Sequence, residues 1–203
     1  NFHNYIMIEK AITEGISYWQ PHEKISPEVC QLIIDLAKGQ KFFDAGVVFP
    51  DSEGVGIDKD RRIGKHNFNN QQWVYDLIWP YMEECNKGAE WGFDISSAES
   101  YQIAKYEVGD HYKPHLDSIG THSTRWIAKD NPHLHNKTRK ISMSLILNDD
   151  FEGGDLEIFG VPTPKLETGS MIFFPSFIAH EVTPVTKGTR YSLVLWFLGT
   201  PWR

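Results

Sequence analysis

Cysteine is nearly missing from this chain: Cys30 and Cys85 are the only two in 203 residues. That excludes a disulfide framework and a cysteine-rich metal site. No apolar run approaches the roughly 20 residues that a membrane-spanning helix needs. Positive charge is scarce too, with 20 Lys+Arg against 27 Asp+Glu and a formal charge of −7. Phosphate affinity comes mainly from Lys and Arg, so this balance argues against a generic nucleic-acid binder. No Pro/Gly/Ser linker, internal repeat or low-complexity tract divides the chain. No secretory signal pattern is visible, and an intracellular, cytoplasmic, reducing home is the expectation.

What remains is globular in composition, 40% hydrophobic and 23% charged. The 7 Trp, 8 Tyr and 12 Phe supply large buried area and favour strands. A single domain over 1–203 is expected, with 1–99 as helix-rich support and 100–198 as a strand-rich core. Ser26-Pro27 is a helix start, with Val29, Leu32, Ile33 and Leu36 on one apolar face and Gly39 as the stop. A second helix runs from about Asn70 towards Lys87. Trp73, Val74, Leu77 and Ile78 should point inward, and Pro80 should kink or break it. Strands are expected at Tyr101–Tyr106, Ile141–Leu147, Leu156–Phe159, Ser170–Phe174 and Arg190–Leu198. Turn signals such as Gly153-Gly154 and Glu167-Thr168-Gly169 separate several of them. Short strands at this spacing argue for a sandwich or barrel with the early helices on one face. Asp51–Gly64 and Ser118–Lys140 read as surface loops, the second long enough to be a lid.

Three signals carry chemistry. His115-Leu116-Asp117 would turn an imidazole and a carboxylate to one side of an extended segment. Alone, the pair is common by chance and reads better as two polar surface residues. His180 lies in the apolar stretch Phe173-Phe174-Pro175-Ser176-Phe177-Ile178-Ala179-His180, where a polar ring needs a partner. It is either a core histidine bonded to a carbonyl or a third ligand. Two His and one carboxylate with open positions suit a non-haem Fe(II) oxygenase. Arg190 opens an apolar strand and needs an anion there, either one of the chain's acids or the carboxylate of a small ligand.

These residues sit in three longer segments. They are Tyr106-Glu-Val-Gly109-Asp-His-Tyr112-Lys-Pro-His115-Leu-Asp117, Phe151-Glu-Gly153-Gly154-Asp-Leu156, and Lys165 through Pro175, His180 and Gly188-Thr-Arg190 to Trp196. In order, spacing and glycines the chain resembles the Fe(II)/2-oxoglutarate-dependent dioxygenases of the prolyl 4-hydroxylase type, closely over about residues 100–198 and more weakly from near Trp19. The resemblance implies a mainly β fold, a double-stranded β-helix (jelly-roll, cupin-like) core with supporting helices. It implies Fe(II) on His115, Asp117 and His180, and 2-oxoglutarate and O2 as cosubstrates, with ascorbate as an accessory reductant. Arg190 matches the residue that grips the distal 2-oxoglutarate carboxylate; it is usually Lys in the collagen-type branch, so collagen is not implied. Tyr106 matches a cosubstrate-binding tyrosine, and Ser192 could support the same carboxylate. Tyr112 and Trp196 match positions near substrate, though core packing fits them nearly as well. Ile146 stands where oxygen-sensing relatives carry a further tyrosine.

The implied reaction hydroxylates a prolyl residue of a peptide or protein and releases succinate and CO2. The alternatives are hydroxylation of another residue or of a free small molecule, or a non-catalytic jelly-roll binding module. Partners other than a peptide or protein substrate are not implied, and the oligomeric state stays open. His133 and His135 form a second i, i+2 pair in a polar loop, His111 and His122 flank the site, and Lys59-Asp60-Arg61-Arg62 is a charge run; surface roles are expected for all of these.

Overall fold

The computed structural model of the chain describes residues 17–48, 55–56, 58–119, 125–159 and 163–202. His3 and His122 lie outside them, as do parts of the two expected loops. Among the described residues, two named helices, α1 (Pro27–Lys38) and α2 (Gln72–Gly88), precede or interrupt fifteen strands. The first eight are β1 (Phe43–Asp44), β2 (Val47–Val48), β3 (Val55–Gly56), β4 (Arg62–Ile63), β5 (Lys65–Asn69), β6 (Ser97–Ala98), β7 (Tyr101–Tyr106) and β8 (His111–His115). The rest are β9 (Thr138–Ile146), β10 (Glu152–Gly153), β11 (Leu156–Ile158), β12 (Met171–Pro175), β13 (His180–Val182), β14 (Val185–Lys187) and β15 (Arg190–Gly199). A larger sheet runs β1-β5-β7-β15-β9-β12, with β6 also on β15, and a smaller one runs β11-β13-β8-β4. Every pairing is antiparallel.

The strands β7, β15, β9 and β12 of the larger sheet are buried on both faces, which is why they read as long apolar runs. Side chains alternate across a strand. On β15, Leu193, Leu195 and Phe197 join the core beneath the helices, whereas Ser192, Val194 and Trp196 line a cavity on the other side. On β7, Tyr101 and Ile103 face the helices while Gln102, Ala104 and Tyr106 face that cavity. The smaller sheet supplies the opposite wall through Tyr112, His115, His180 and Val182. This two-sheet, helix-backed architecture is the expected jelly roll.

Both helices form where the sequence places them, but with rotated faces. Ser26 Oγ accepts from the Val29 N–H at 3.4 Å and Gly39 closes α1. The buried residues are Cys30, Ile33, Ile34 and Ala37, while Leu32 and Leu36 of the expected face are 50% and 37% exposed. The sheet accepts a face of smaller residues, since small side chains let the helix approach closely. In α2 the inward residues are Val74, Ile78, Met82 and Cys85, and the expected inward Trp73 is exposed. Pro80 does not end α2; Ile78 and Met82, buried on either side of it, hold the helix against the sheet. Both cysteines are free and buried, and burial pushes the Cys30 thiol up to about 11, as suits an unreactive core group. Gly169 closes the turn before β12 at φ +81°, where a Cβ would fall 1.9 Å from the Ile25 carbonyl oxygen. No helix among the described residues is long and apolar enough to cross a membrane.

Candidate metal and cosubstrate site

β8 and β13 pair so that His180 lies opposite His115. The chain leaves β8 immediately after His115, and its next turn is fixed by Asp117 N–H and Ser118 N–H donating to the Ser176 carbonyl at 3.0 and 2.9 Å. This bend, rather than a continued strand, brings the Asp117 carboxylate to the two imidazoles. Asp117 Oδ1 is 3.8 Å from His115 Nε2, and Oδ2 is 3.5 Å from His180 Nε2. One ligand atom from each of the three residues lies within 4.8 Å of the others, and no other such group occurs among the described residues. His133 and His135 therefore form no second cluster there.

Both imidazoles have one nitrogen fixed by backbone. His115 Nδ1 lies 2.9 Å from the Lys113 carbonyl and His180 Nδ1 lies 3.0 Å from the Ile178 carbonyl. A carbonyl only accepts, so Nδ1 carries the proton and each Nε2 lone pair faces the triad. Burial first, and then His180, hold His115 down to about 3, so its ring is neutral at neutral pH. Burial of Asp117 acts to raise its carboxyl; His180, His115, Arg139 and a Ser142 hydrogen bond outweigh it and bring it to about 2. Two imidazole nitrogens and one carboxylate at such spacing suit a divalent ion of the iron–zinc series.

Behind Asp117 stands a support that the sequence did not announce. Ser142 Oγ donates to Asp117 Oδ2 at 2.7 Å and lies 2.9 Å from Ser176 Oγ. Arg139 reaches within 4.0 Å of Asp117 Oδ1 and is itself held by Glu99 through two bonds of 2.6 and 2.7 Å. Such outer partners typically change metal affinity by roughly 10–100-fold. Ser142→Ala is expected to weaken Fe(II) binding within that range without unfolding the chain, as isothermal titration would read.

The cavity has a volume of about 470 Å³. At its end opposite the triad, Arg190 is 1% exposed. Its NH1 donates to Ser192 Oγ at 2.7 Å, its guanidinium lies 5.7 Å from the Tyr106 ring centre, and its Nε has no partner. Arg190 forms no ion pair among the described residues. A buried cation in that state costs several kcal/mol unless an anion joins it, so the site fits a carboxylate ligand. Gly154 makes the room, because a Cβ there would lie 3.0 Å from Arg190 Cδ, at φ +63°. Tyr106 is opposite Arg190 in the sheet and lines the cavity with Ser192. Ile146 is buried opposite Ser192 and offers no hydrogen bond to such a ligand.

Tyr112 stacks on His115 with ring centres 3.5 Å apart, and Trp196 lies 3.9 Å beneath the Arg139 guanidinium. Both line the cavity. Arg62, expected on a solvated face, is instead 8% exposed and lies over Tyr112 at 4.5 Å. β4 pairs with β8 and carries it inside. His66 also lines the cavity. Burial, and then Arg62, push it down to about 4 from an ordinary 6.5. The unfolded chain thus takes up this proton first, and stability is lost as pH falls from about 6.5 to about 4. His66→Phe should remove about 1–3 kcal/mol of that acid sensitivity, measured by urea unfolding at neutral pH and near pH 4.5.

Antiparallel sheets thus enclose two histidines, an aspartate and a buried arginine in one cavity, a donor set that suits a non-haem metal. Residues 101–198, just under half of the chain, match the model of the 2OG-Fe(II) oxygenase superfamily. It is 33% identical over 99 residues to a PKHD-type hydroxylase of Cupriavidus pinatubonensis, covering 45% of this chain and 40% of the relative. It is 36% identical over 97 residues to one of Janthinobacterium sp., with the same coverages. The chain thus spans about two fifths of the length of the curated relatives it matches. Among solved structures it resembles the viral collagen prolyl hydroxylase of Paramecium Bursaria Chlorella virus-1 in its 2OG complex (TM-score 0.67, 18% identity, 92% of this chain and 98% of that one). It also resembles a prolyl-4-hydroxylase of Pseudomonas putida (TM-score 0.63, 19% identity, 97% and 100%). A Trichoplax adhaerens prolyl hydroxylase, in complex with a hypoxia inducible factor oxygen degradation domain peptide fragment, has a TM-score of 0.63 at 16% identity over 96% and 93%. The fold is of the prolyl 4-hydroxylase type.

Proposed function

We propose that this chain is an Fe(II)- and 2-oxoglutarate-dependent dioxygenase that hydroxylates a prolyl residue of a peptide or protein. The observation that carries the reading is one cavity holding both the His115–Asp117–His180 cluster and the unpaired Arg190 guanidinium. His115, Asp117 and His180 would hold Fe(II); Arg190, with Tyr106 and Ser192, would hold the distal carboxylate of 2-oxoglutarate. When bound, the metal with 2-oxoglutarate and O2 supplies the oxidising power for C–H hydroxylation, with succinate and CO2 as coproducts.

The chain's own part is placement. The Lys113 and Ile178 carbonyls keep both Nε2 atoms aimed at one point, and Ser142 fixes the rotamer of Asp117. Arg190 sets the direction of a dicarboxylate, so that its other end meets the triad. Leu156, Phe174 and Val182 line the wall and limit water around the reacting groups. Tyr112 and Trp196 would flank the substrate. The peptide-bound Trichoplax adhaerens neighbour supports a peptide substrate. The test is mass spectrometry of proline-rich peptides after incubation with Fe(II), 2-oxoglutarate and air. A gain of one oxygen on proline is expected; oxidation confined to other residues would overturn the prolyl assignment.

A further inference from the structure

Among the described residues, the cavity contains one more positive charge than its own groups and the proposed ligands neutralise. Arg139 is bonded twice to Glu99. Fe(II) and Arg190 together would balance Asp117 and a 2-oxoglutarate dianion. Arg62 is left over. It is 8% exposed, its Nε is buried without a partner, and it has no ion pair among the described residues. The one hydrogen bond of its side chain there runs from Nη1 to the Gly46 carbonyl at 3.3 Å. His66 beside it is held neutral and supplies no counter-charge. A guanidinium kept this dry without an anion is costly in the free protein and gains most from meeting one.

The position is specific. Guanidinium, Tyr112 phenol and His115 imidazole form consecutive layers, with spacings of 4.5 and 3.5 Å. Arg62 therefore stands two layers from a proposed metal ligand, on the wall formed by the smaller sheet, whereas Arg190 belongs to the larger one. An anion there is separate from the distal carboxylate of the cosubstrate. Resting on the oxygenase reading above, we propose that Arg62 is a substrate-binding residue selecting a substrate carboxylate close to the oxidised carbon. That carboxylate is either an acidic side chain next to the target residue or the target's own terminal carboxylate.

The test uses three acetylated probes on the Fe(II)–2-oxoglutarate protein without oxygen. They are Gln-Pro-Gln amide, Glu-Pro-Glu amide and Gln-Pro with a free terminal carboxylate, titrated by calorimetry. At least one anionic probe should bind about ten-fold or more tightly than the neutral one, as a charge-assisted pair implies. Which one does so tells the side-chain source from the terminal source. Arg62→Gln should shrink that preference to within about two-fold, Arg62→Lys should keep part of it, and 2-oxoglutarate affinity should be unchanged in both. The Lys variant also guards against a change that merely disturbs folding. Equal binding of all probes, binding of none, or a preference that survives Arg62→Gln would overturn the inference. Failure of the wild-type protein to bind 2-oxoglutarate at all would instead defeat the oxygenase reading on which it rests.

Discussion

Asp117→Ala is expected to lower Fe(II) affinity on the order of 100-fold or more, because it removes the one anionic donor of the cluster. The size follows from how the carboxylate is held. Its two oxygens sit 3.8 and 3.5 Å from the two imidazole nitrogens, and Ser142 locks it from behind. Removing an outer partner alone typically costs roughly 10–100-fold, so loss of the donor itself should reach or exceed the upper end. The two histidines would remain, bonded to the Lys113 and Ile178 carbonyls, so some weak binding should persist. Titration with Fe(II) under reducing conditions measures this directly. Affinity within a few-fold of the parent would show that the ion is held elsewhere.

The second large effect has two opposite signs. Arg190→Met should raise the 2-oxoglutarate dissociation constant by roughly 100-fold, the usual order of 3 kcal/mol for truncating one partner of a buried charge pair. The same change should stabilise the ligand-free chain by about 2 kcal/mol, since it removes a buried cation without a counter-charge and keeps the packing volume. Burial already holds this guanidinium below its ordinary value, with Tyr106 and Asp155 acting the other way. Thermal unfolding with and without 2-oxoglutarate separates the two signs. The variant should melt higher than the parent alone and gain almost nothing from the ligand. A parent-like affinity would remove Arg190 from the cosubstrate site.

The legible parts of this protein were those with short-range causes. Five strands were readable because alternating packing on two buried faces requires runs of apolar residues, and the structure places β7, β9, β11, β12 and β15 there. The cluster was readable because His115 and Asp117 are two apart and His180 stands alone in an apolar stretch. The helix faces were legible in part: Ile33, Val74 and Ile78 are buried as expected, whereas Leu32, Leu36 and Trp73 are exposed and Cys30, Ala37 and Cys85 take the inward places, because the sheet selects for fit rather than hydrophobicity. β8 and β13, which carry the histidines, escaped notice because they are short, polar and held by pairing with strands distant in sequence. Arg139 and Glu99 are 40 positions apart, and nothing local links them. Arg62 looked solvated because Lys59, Asp60 and Arg61 surround it; one strand register buries it alone. Ser142 and Ser144 did leave a signal, as polar residues alternating with Ile141, Met143 and Leu145 on an otherwise apolar strand.

The most direct measurement of the central claim is succinate formed from 2-oxoglutarate by the Fe(II)-loaded protein, with and without a proline-rich peptide, beside His180→Ala. The account predicts turnover that the peptide stimulates and that His180→Ala abolishes. Turnover equal in the parent and in His180→Ala, or a parent that binds neither Fe(II) nor 2-oxoglutarate, would contradict it.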